Sequence, residues 1–215
     1  MNWFAGNESK WIGAGNGGAA PYFFVKFKCP APAGVRVAIC GLGYYELQVN
    51  GRKVGDRELA PIVSVYDRRV RYNVLDLEEH LQPGENAVGV ILGHGLYNHA
   101  VKDVWNFENA AWRDQPKLRL EIRDAEGNLL LASDSAWLSS LKGPIVHTQL
   151  RNGEHYDARR EFKDWPTCAF VPDERWGKAV VVASPGGVFE EESAIPCRVV
   201  RTFEVKGEPT CFGVY

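Results

Sequence analysis

The chain has 215 residues, a formal charge of −2, 45% hydrophobic and 24% charged residues, which is room for one large domain or two small ones around a substantial core. Seven Trp, eight Tyr and ten Phe are enough to collapse the chain, so disorder is excluded as its main state. The charge balance lacks the basic surplus of a nucleic-acid scaffold, and no apolar run approaches the ~20 residues of a membrane helix.

Residues 1–20 read as an N-terminal extension. Met1 to Lys10 show no basic stretch leading into a long apolar run, as a signal peptide would. Gly13, Gly15, Gly17 and Gly18 form a glycine-rich stretch without the lysine of a phosphate loop, and it reads as a flexible loop. From Tyr22 to Cys29 the period is two: Phe23, Val25, Phe27 and Cys29 share one face, and Lys26 and Lys28 point away, which predicts a half-buried strand. Val35, Val37 and Ile39 repeat the pattern. So do Tyr45, Leu47 and Val49, with Glu46 and Gln48 on the other face. Asn50-Gly51 then predicts a tight hairpin, because a type I′ turn needs positive φ at both central residues. Arg52 to Val54 is the returning strand.

Val70, Tyr72 and Val74 predict another strand. Asp76 to Leu81 suits one helical turn, stopped by Pro83-Gly84. The apolar run Ala87 to Leu92 predicts a strand covered on both sides. Residues 93–116 alternate weakly and are rich in aromatics and amides; loops of such length are uncommon and often functional. Leu118, Leu120 and Ile122 alternate again, Asp124 to Asn128 turns, and Leu129 to Ala132 returns. Ser133 to Trp137 reads as a turn feeding a buried aromatic. Ile145–Gln149, Ala179–Ala183 and Arg198–Val205 are further strand candidates.

About ten short strands at roughly 8–12-residue spacing, with only short helical turns, predict an all-β sandwich or barrel. It is expected over residues 21–183. Residues 184–215 are expected as a linker and a first strand leading to a next domain. Five cysteines, scattered and without a C-x-x-C pair, argue against a zinc site and a disulfide framework.

Few residues suggest chemistry. There is no G-x-S-x-G elbow. His94 and His99 suit a metal pair, but with no third ligand they read as hydrogen-bonded loop residues. Trp105, Phe107 and Trp112, with Arg113 and Asp114, suit a sugar platform, because apolar sugar faces stack on rings and hydroxyls bond charged groups. The competing reading folds these rings into the end of the sandwich. Glu154 and Asp157 suit a glycosidase carboxylate pair; alternatively Asp157 and Arg159 pair and hold a loop. Trp3, Trp11, Trp137, Trp165 and Trp176 read as packing residues.

Several segments together resemble a known family: Gly41–Asp56, Tyr66–Tyr72, Pro83–Gly93, Ala111–Lys117, Ser133–Trp137 and Gly153–Arg159. The specific parts are Tyr44-Tyr45-Glu46-Leu47 running to Asn50-Gly51, and Gly153-Glu154 running to Tyr156-Asp157-Ala158-Arg159. From about Trp11 onward the chain resembles the N-terminal, non-catalytic region of bacterial α-L-rhamnosidases of glycoside hydrolase family 78. The resemblance implies a jelly-roll β-sandwich, similar to galactose-binding-like domains. It implies that further β-domains and an (α/α)6 barrel follow, the barrel hydrolysing terminal α-L-rhamnosides with inversion. This chain has no counterpart of that barrel and reads as a fragment of the larger enzyme.

Some members use a related sandwich to hold rhamnose with calcium, so calcium is the one cofactor the resemblance raises, with no ligands assigned. The implied partners are rhamnose-containing carbohydrate and the remaining domains of the enzyme, with no nucleic acid or membrane. The compartment stays open between bacterial cytoplasm and periplasm. Tyr97 joins the carbohydrate-binding candidates, although Gly95-Leu96-Tyr97 stands where many relatives have Gly-Trp-Tyr. The readings are an accessory recognition domain, a structural domain packed on the barrel, a free-standing lectin, or an enzyme using Glu154 with Glu46 or Asp157.

Overall fold

The computed structural model describes residues 3–204. Its strands are β1 (Ile12–Gly13), β2 (Tyr22–Cys29), β3 (Arg36–Leu42), β4 (Tyr44–Val49), β5 (Arg52–Lys53), β6 (Arg69–Asp76), β7 (Gly84–Gly93), β8 (Lys117–Arg123), β9 (Leu129–Ala132), β10 (Leu138–Ser140), β11 (Ile145–Gln149), β12 (Gly153–Tyr156), β13 (Gly177–Lys178), β14 (Val180–Val181) and β15 (Val188–Glu191). Three 3₁₀ turns, Glu78–His80, Phe107–Asn109 and Ala158–Arg160, are the only helical elements among the described residues. A seven-stranded sheet has the order β14-β1-β8-β3-β6-β15, with β9 also paired to β8. A six-stranded sheet has the order β13-β10-β2-β7-β4-β5, and β11 and β12 form a separate hairpin. The architecture is the expected all-β jelly-roll sandwich.

The alternation in the sequence becomes the core between the sheets. Phe23, Phe27, Leu47, Val88, Val90 and Leu92 of the smaller sheet meet Val37, Ile39, Leu118, Leu120 and Ile122 of the larger one. Each such side chain, taken fully out of water, contributes about 1.5–3 kcal/mol. Asn50 and Gly51 take φ of 51° and 79°, as the predicted turn demands. The Asn50 side chain ties this turn to its neighbours: Nδ2 donates to the His80 carbonyl at 2.9 Å and Oδ1 accepts from the Ala87 N–H at 2.9 Å.

The other face of β2 and β7 is covered too, as the continuous apolar run of β7 predicts. Residues 162–176 lie across it, and Phe170 meets Phe24 edge-on at 4.8 Å. Gly89 permits this approach, because a Cβ there would lie 2.7 Å from Cζ2 of Trp165.

Three placements depart from expectation. The stretch read as an extension is built into the sandwich: Trp3, Phe4 and Trp11 are buried, and β1 pairs with β8 and β14. Within the stretch read as a linker, β15 pairs in parallel with β6. Residues 198–204 form no strand, although Cys197 bridges to Glu58; Val199, Val200 and Phe203 stay exposed. Val205 lies outside the described residues.

Candidate functional site

Between β7 and β8 the chain runs through residues 94–116 without a strand. A buried polar node roots this connection. His94 Nε2 lies 3.2 Å from the Ala19 carbonyl, and Nδ1 lies 2.9 Å from Asn98 Nδ2. A carbonyl only accepts and an amide nitrogen only donates, so the ring is the neutral tautomer with its proton on Nε2. Burial pushes the His94 pKa below its ordinary value, against the opposing Ala19 hydrogen bond. Gln149 of β11 joins the node and accepts from the Ala100 N–H at 3.4 Å. His99 is fully buried, with Nε2 3.1 Å from Asp103 Oδ2. His94 thus takes structural hydrogen-bond partners, whereas His99 only approaches Asp103 and makes no hydrogen bond. Among the described residues no three His, Cys, Asp or Glu side chains come together as a metal site, so no calcium ligands are assigned.

Above the node the aromatic side chains form a ladder. Tyr97 is buried and meets Tyr66 edge-on at 5.0 Å. Trp112 lies parallel to Tyr97 at 6.4 Å, and Phe107 follows at 6.2 Å. Trp105 stacks on Phe107 at 6.3 Å and is 56% exposed. The Arg151 guanidinium sits 4.4 Å from the centre of the Trp105 ring and 3.9 Å from Asp103. Arg151 comes from the turn joining β11 and β12. Nothing in the local sequence pairs it with Trp105, and only the folded hairpin brings it there.

The remaining candidates divide. Arg113 is exposed beside the ladder. Asp114 is engaged: Oδ2 accepts from Lys117 Nζ at 2.7 Å and Oδ1 from the Gln115 N–H at 2.7 Å. Burial raises its pKa, but these bonds outweigh burial and hold the carboxyl below its ordinary value. Glu154 stands exposed on β12. Asp157 takes Arg159 in a fork at 2.8 and 2.9 Å, with Arg160 at 3.4 Å, and accepts from the Arg159 N–H to start the turn that follows. The Arg159 hydrogen bond, above all, holds the Asp157 carboxyl at about 2. That shift is opposite to the one a glycosidase acid needs, so the geometry supports a loop-holding role for this pair.

The fold and this loop define a jelly-roll β-sandwich whose face carries an aromatic ladder. Comparison with known proteins places it further. The family described as "Alpha-L-rhamnosidase N-terminal domain" matches residues 31–201, and the chain belongs to that family. An α-L-rhamnosidase of Formosa agariphila is 37% identical over 180 residues, covering 76% of this chain and 18% of that protein. The solved α-L-rhamnosidase of Dictyoglumus thermophilum superimposes with a TM-score of 0.77 at 31% identity, over 90% of this chain and 23% of that one. The native enzyme of Aspergillus terreus gives 0.79 at 27% identity, over 91% and 23%. The chain therefore spans about a fifth of the length of these relatives, and the match lies on the N-terminal domain of these glycoside hydrolases.

Proposed function

We propose that this domain is non-catalytic and assists substrate recognition, binding rhamnose-containing carbohydrate for a parent enzyme that hydrolyses terminal α-L-rhamnosides. The observation that carries the reading is the ladder itself, anchored at buried Tyr97 and ending in exposed Trp105 beside Arg151. A ring held by its neighbours loses little freedom on binding. The guanidinium adds donors in a fixed fork for hydroxyl oxygens. Arg113 stands on the same loop to take further hydroxyls.

An amide NMR titration with L-rhamnose, with calcium and then with chelator, tests this. Saturable shifts at residues 97–114 and at Arg151 are expected, with Kd near ~1 mM, about −4 kcal/mol. Trp105→Ala is expected to weaken binding about tenfold, a loss of about 1.4 kcal/mol. Unchanged affinity in that variant refutes the Trp105 platform. No shifts at tens of millimolar sugar refute carbohydrate binding altogether, and loss of shifts on chelation adds a metal.

A second reading, a structural domain packed on the remaining domains of the same enzyme, is favoured by one surface. Ile62, Val63 and Val65 are exposed, as are Ile195, Val199 and Val200. The two segments are tied by the Ile62 N–H to Glu192 at 2.8 Å and by the Glu58–Cys197 bridge. Exposed apolar surface of this kind marks contact sites. Slower hydrogen exchange of residues 59–65 in the whole enzyme than in this chain alone is the expected result.

A further inference from the structure

We propose a second carbohydrate seat, on the outer face of the six-stranded sheet, in a groove between β4 and the β11–β12 hairpin. It rests on the reading of this domain as carbohydrate-recognising, but not on the Trp105 ladder.

Strand register builds the floor. Glu46 of β4, Ile91 of β7 and Tyr22 of β2 lie side by side in one row. Gln48, Gly89 and Phe24 form the next row. Trp165 and Pro166 press onto Gly89, yet Glu46 and Gln48 stay half-exposed. Tyr156 of β12 and Glu161 stand on the far side. The result is a groove of about 480 Å³ lined by Tyr22, Glu46, Gln48, Tyr156, Glu161 and Trp165, among others. That is within the roughly 300–1,000 Å³ typical of small-ligand sites.

The chemistry of the lining selects the ligand. Glu46 Oε1 accepts from Gln48 Nε2 at 2.7 Å, while Oε2 has only Lys53 at 3.8 Å. Glu161 Oε1 accepts from the Tyr156 hydroxyl at 2.7 Å, which fixes that exposed ring beside the groove. Carboxylates only accept, so a ligand must bring donors to the spare lone pairs of Glu46 and Glu161. The Gln48 carbonyl accepts as well, and aromatic surface lies alongside. A neutral ring that carries hydroxyls on its rim and C–H bonds on its face matches both surfaces, as a pyranose does. A wholly solvated sheet face needs no aromatic walls, and a wholly covered one would not leave a carboxylate and an amide on its floor.

The test is an amide NMR titration of the full chain with L-rhamnose, on the wild type and on Trp105→Ala, Gln48→Ala and Tyr156→Ala. Saturable shifts are expected at residues 46–48, 89–91 and 154–161, retained in Trp105→Ala and about tenfold weaker in Gln48→Ala and Tyr156→Ala. Shifts confined to 97–114 and Arg151 overturn the second seat and leave the domain a rhamnose binder. Groove shifts of unchanged affinity in the two groove variants overturn it as well. No shifts anywhere overturn both the seat and the reading beneath it. Should a truncation disturb folding, isosteric Glu46→Gln carries the same test, with the same tenfold weakening expected and unchanged affinity overturning the seat.

Discussion

Glu121→Ala tests whether the first residues of the chain belong to the fold. Glu121 is fully buried on β8. Its Oε2 accepts from Arg123 Nη2 at 2.9 Å and Nε at 3.1 Å, and lies 3.4 Å from the Phe4 N–H. Its Oε1 accepts from the Ser9 hydroxyl at 2.7 Å. Arg119 stands 5.3 Å from the Phe4 ring and donates to Ser9 at 2.8 Å. One carboxylate thus ties residues 4–9 to the larger sheet. Removing it leaves Arg123, whose side chain is 14% exposed, with the Gly127 carbonyl at 3.0 Å and Glu8 at 3.4 Å, and leaves the Ser9 and Phe4 donors unmet. Breaking a buried pair by removing one partner costs about 3–5 kcal/mol. Glu8 offsets part of that, so about 3 kcal/mol is expected. At about 2–4 °C per kcal/mol for a domain of this size, Tm falls by about 6–12 °C. Calorimetry at neutral pH reads the loss, and limited proteolysis reads new cleavage within residues 3–10. A Tm within about 2 °C of wild type, with those residues still protected, would refute the claim that this segment is part of the sandwich.

Stability is expected to fall with pH through His94. Its folded pKa lies below the ordinary 6.5, so the unfolded chain binds the proton first. The contribution is full above that value and is lost as pH falls through 6.5 toward the lower folded pKa. Burial lowers His80 in the same direction, so the difference in slope between wild type and His94→Gln, from urea midpoints between about pH 7 and pH 5, isolates His94; identical slopes refute it. Gly89→Ala forces a Cβ against Trp165, and overpacking of this kind costs about 1–3 kcal/mol; an unchanged Tm contradicts the close packing. Asn50→Ala removes the bonds to His80 and Ala87 and puts a Cβ residue without a polar side chain at positive φ, so a loss of about 2–3 kcal/mol is expected in urea unfolding.

Much of the sandwich was legible because its strands are half-buried and so alternate. β4 and β8 turn their core residues, Tyr45, Leu47 and Val49 and then Leu118, Leu120 and Ile122, to one side, and β2 does the same with Phe23, Phe27 and Cys29; a period of two has no other common cause. The turn at Asn50-Gly51 was legible for a backbone reason, since few residues accept positive φ twice in succession. What was not legible was anything too short or too distant to leave a period. β1 has two residues and β15 pairs in parallel with a strand far away in sequence. Arg198–Val205 shows the reverse: the stretch reads as a strand candidate, but over 198–204 it forms no strand. Strand-forming residues state a preference for a sheet, and only pairing with a neighbouring strand realises it.

The candidate site divides along the same line. Trp105, Phe107 and Trp112 announced themselves by clustering within one loop, and the ladder they form is local. The residues that give the ladder its depth and its charge are not. Tyr66 and Arg151 reach it from the β5–β6 connection and from the β11–β12 turn. Glu46 and Gln48 are the clearest case. In the strand pattern they are the polar half of an alternation, which ordinarily means a face turned to water. Their meaning changes only when Tyr156, Glu161 and Trp165, more than a hundred positions later, fold over part of that face. A sheet half covered in this way leaves polar side chains on the floor of a groove with aromatic walls. Such a site arises from where the covering segment stops, and no pattern in the strand itself records that.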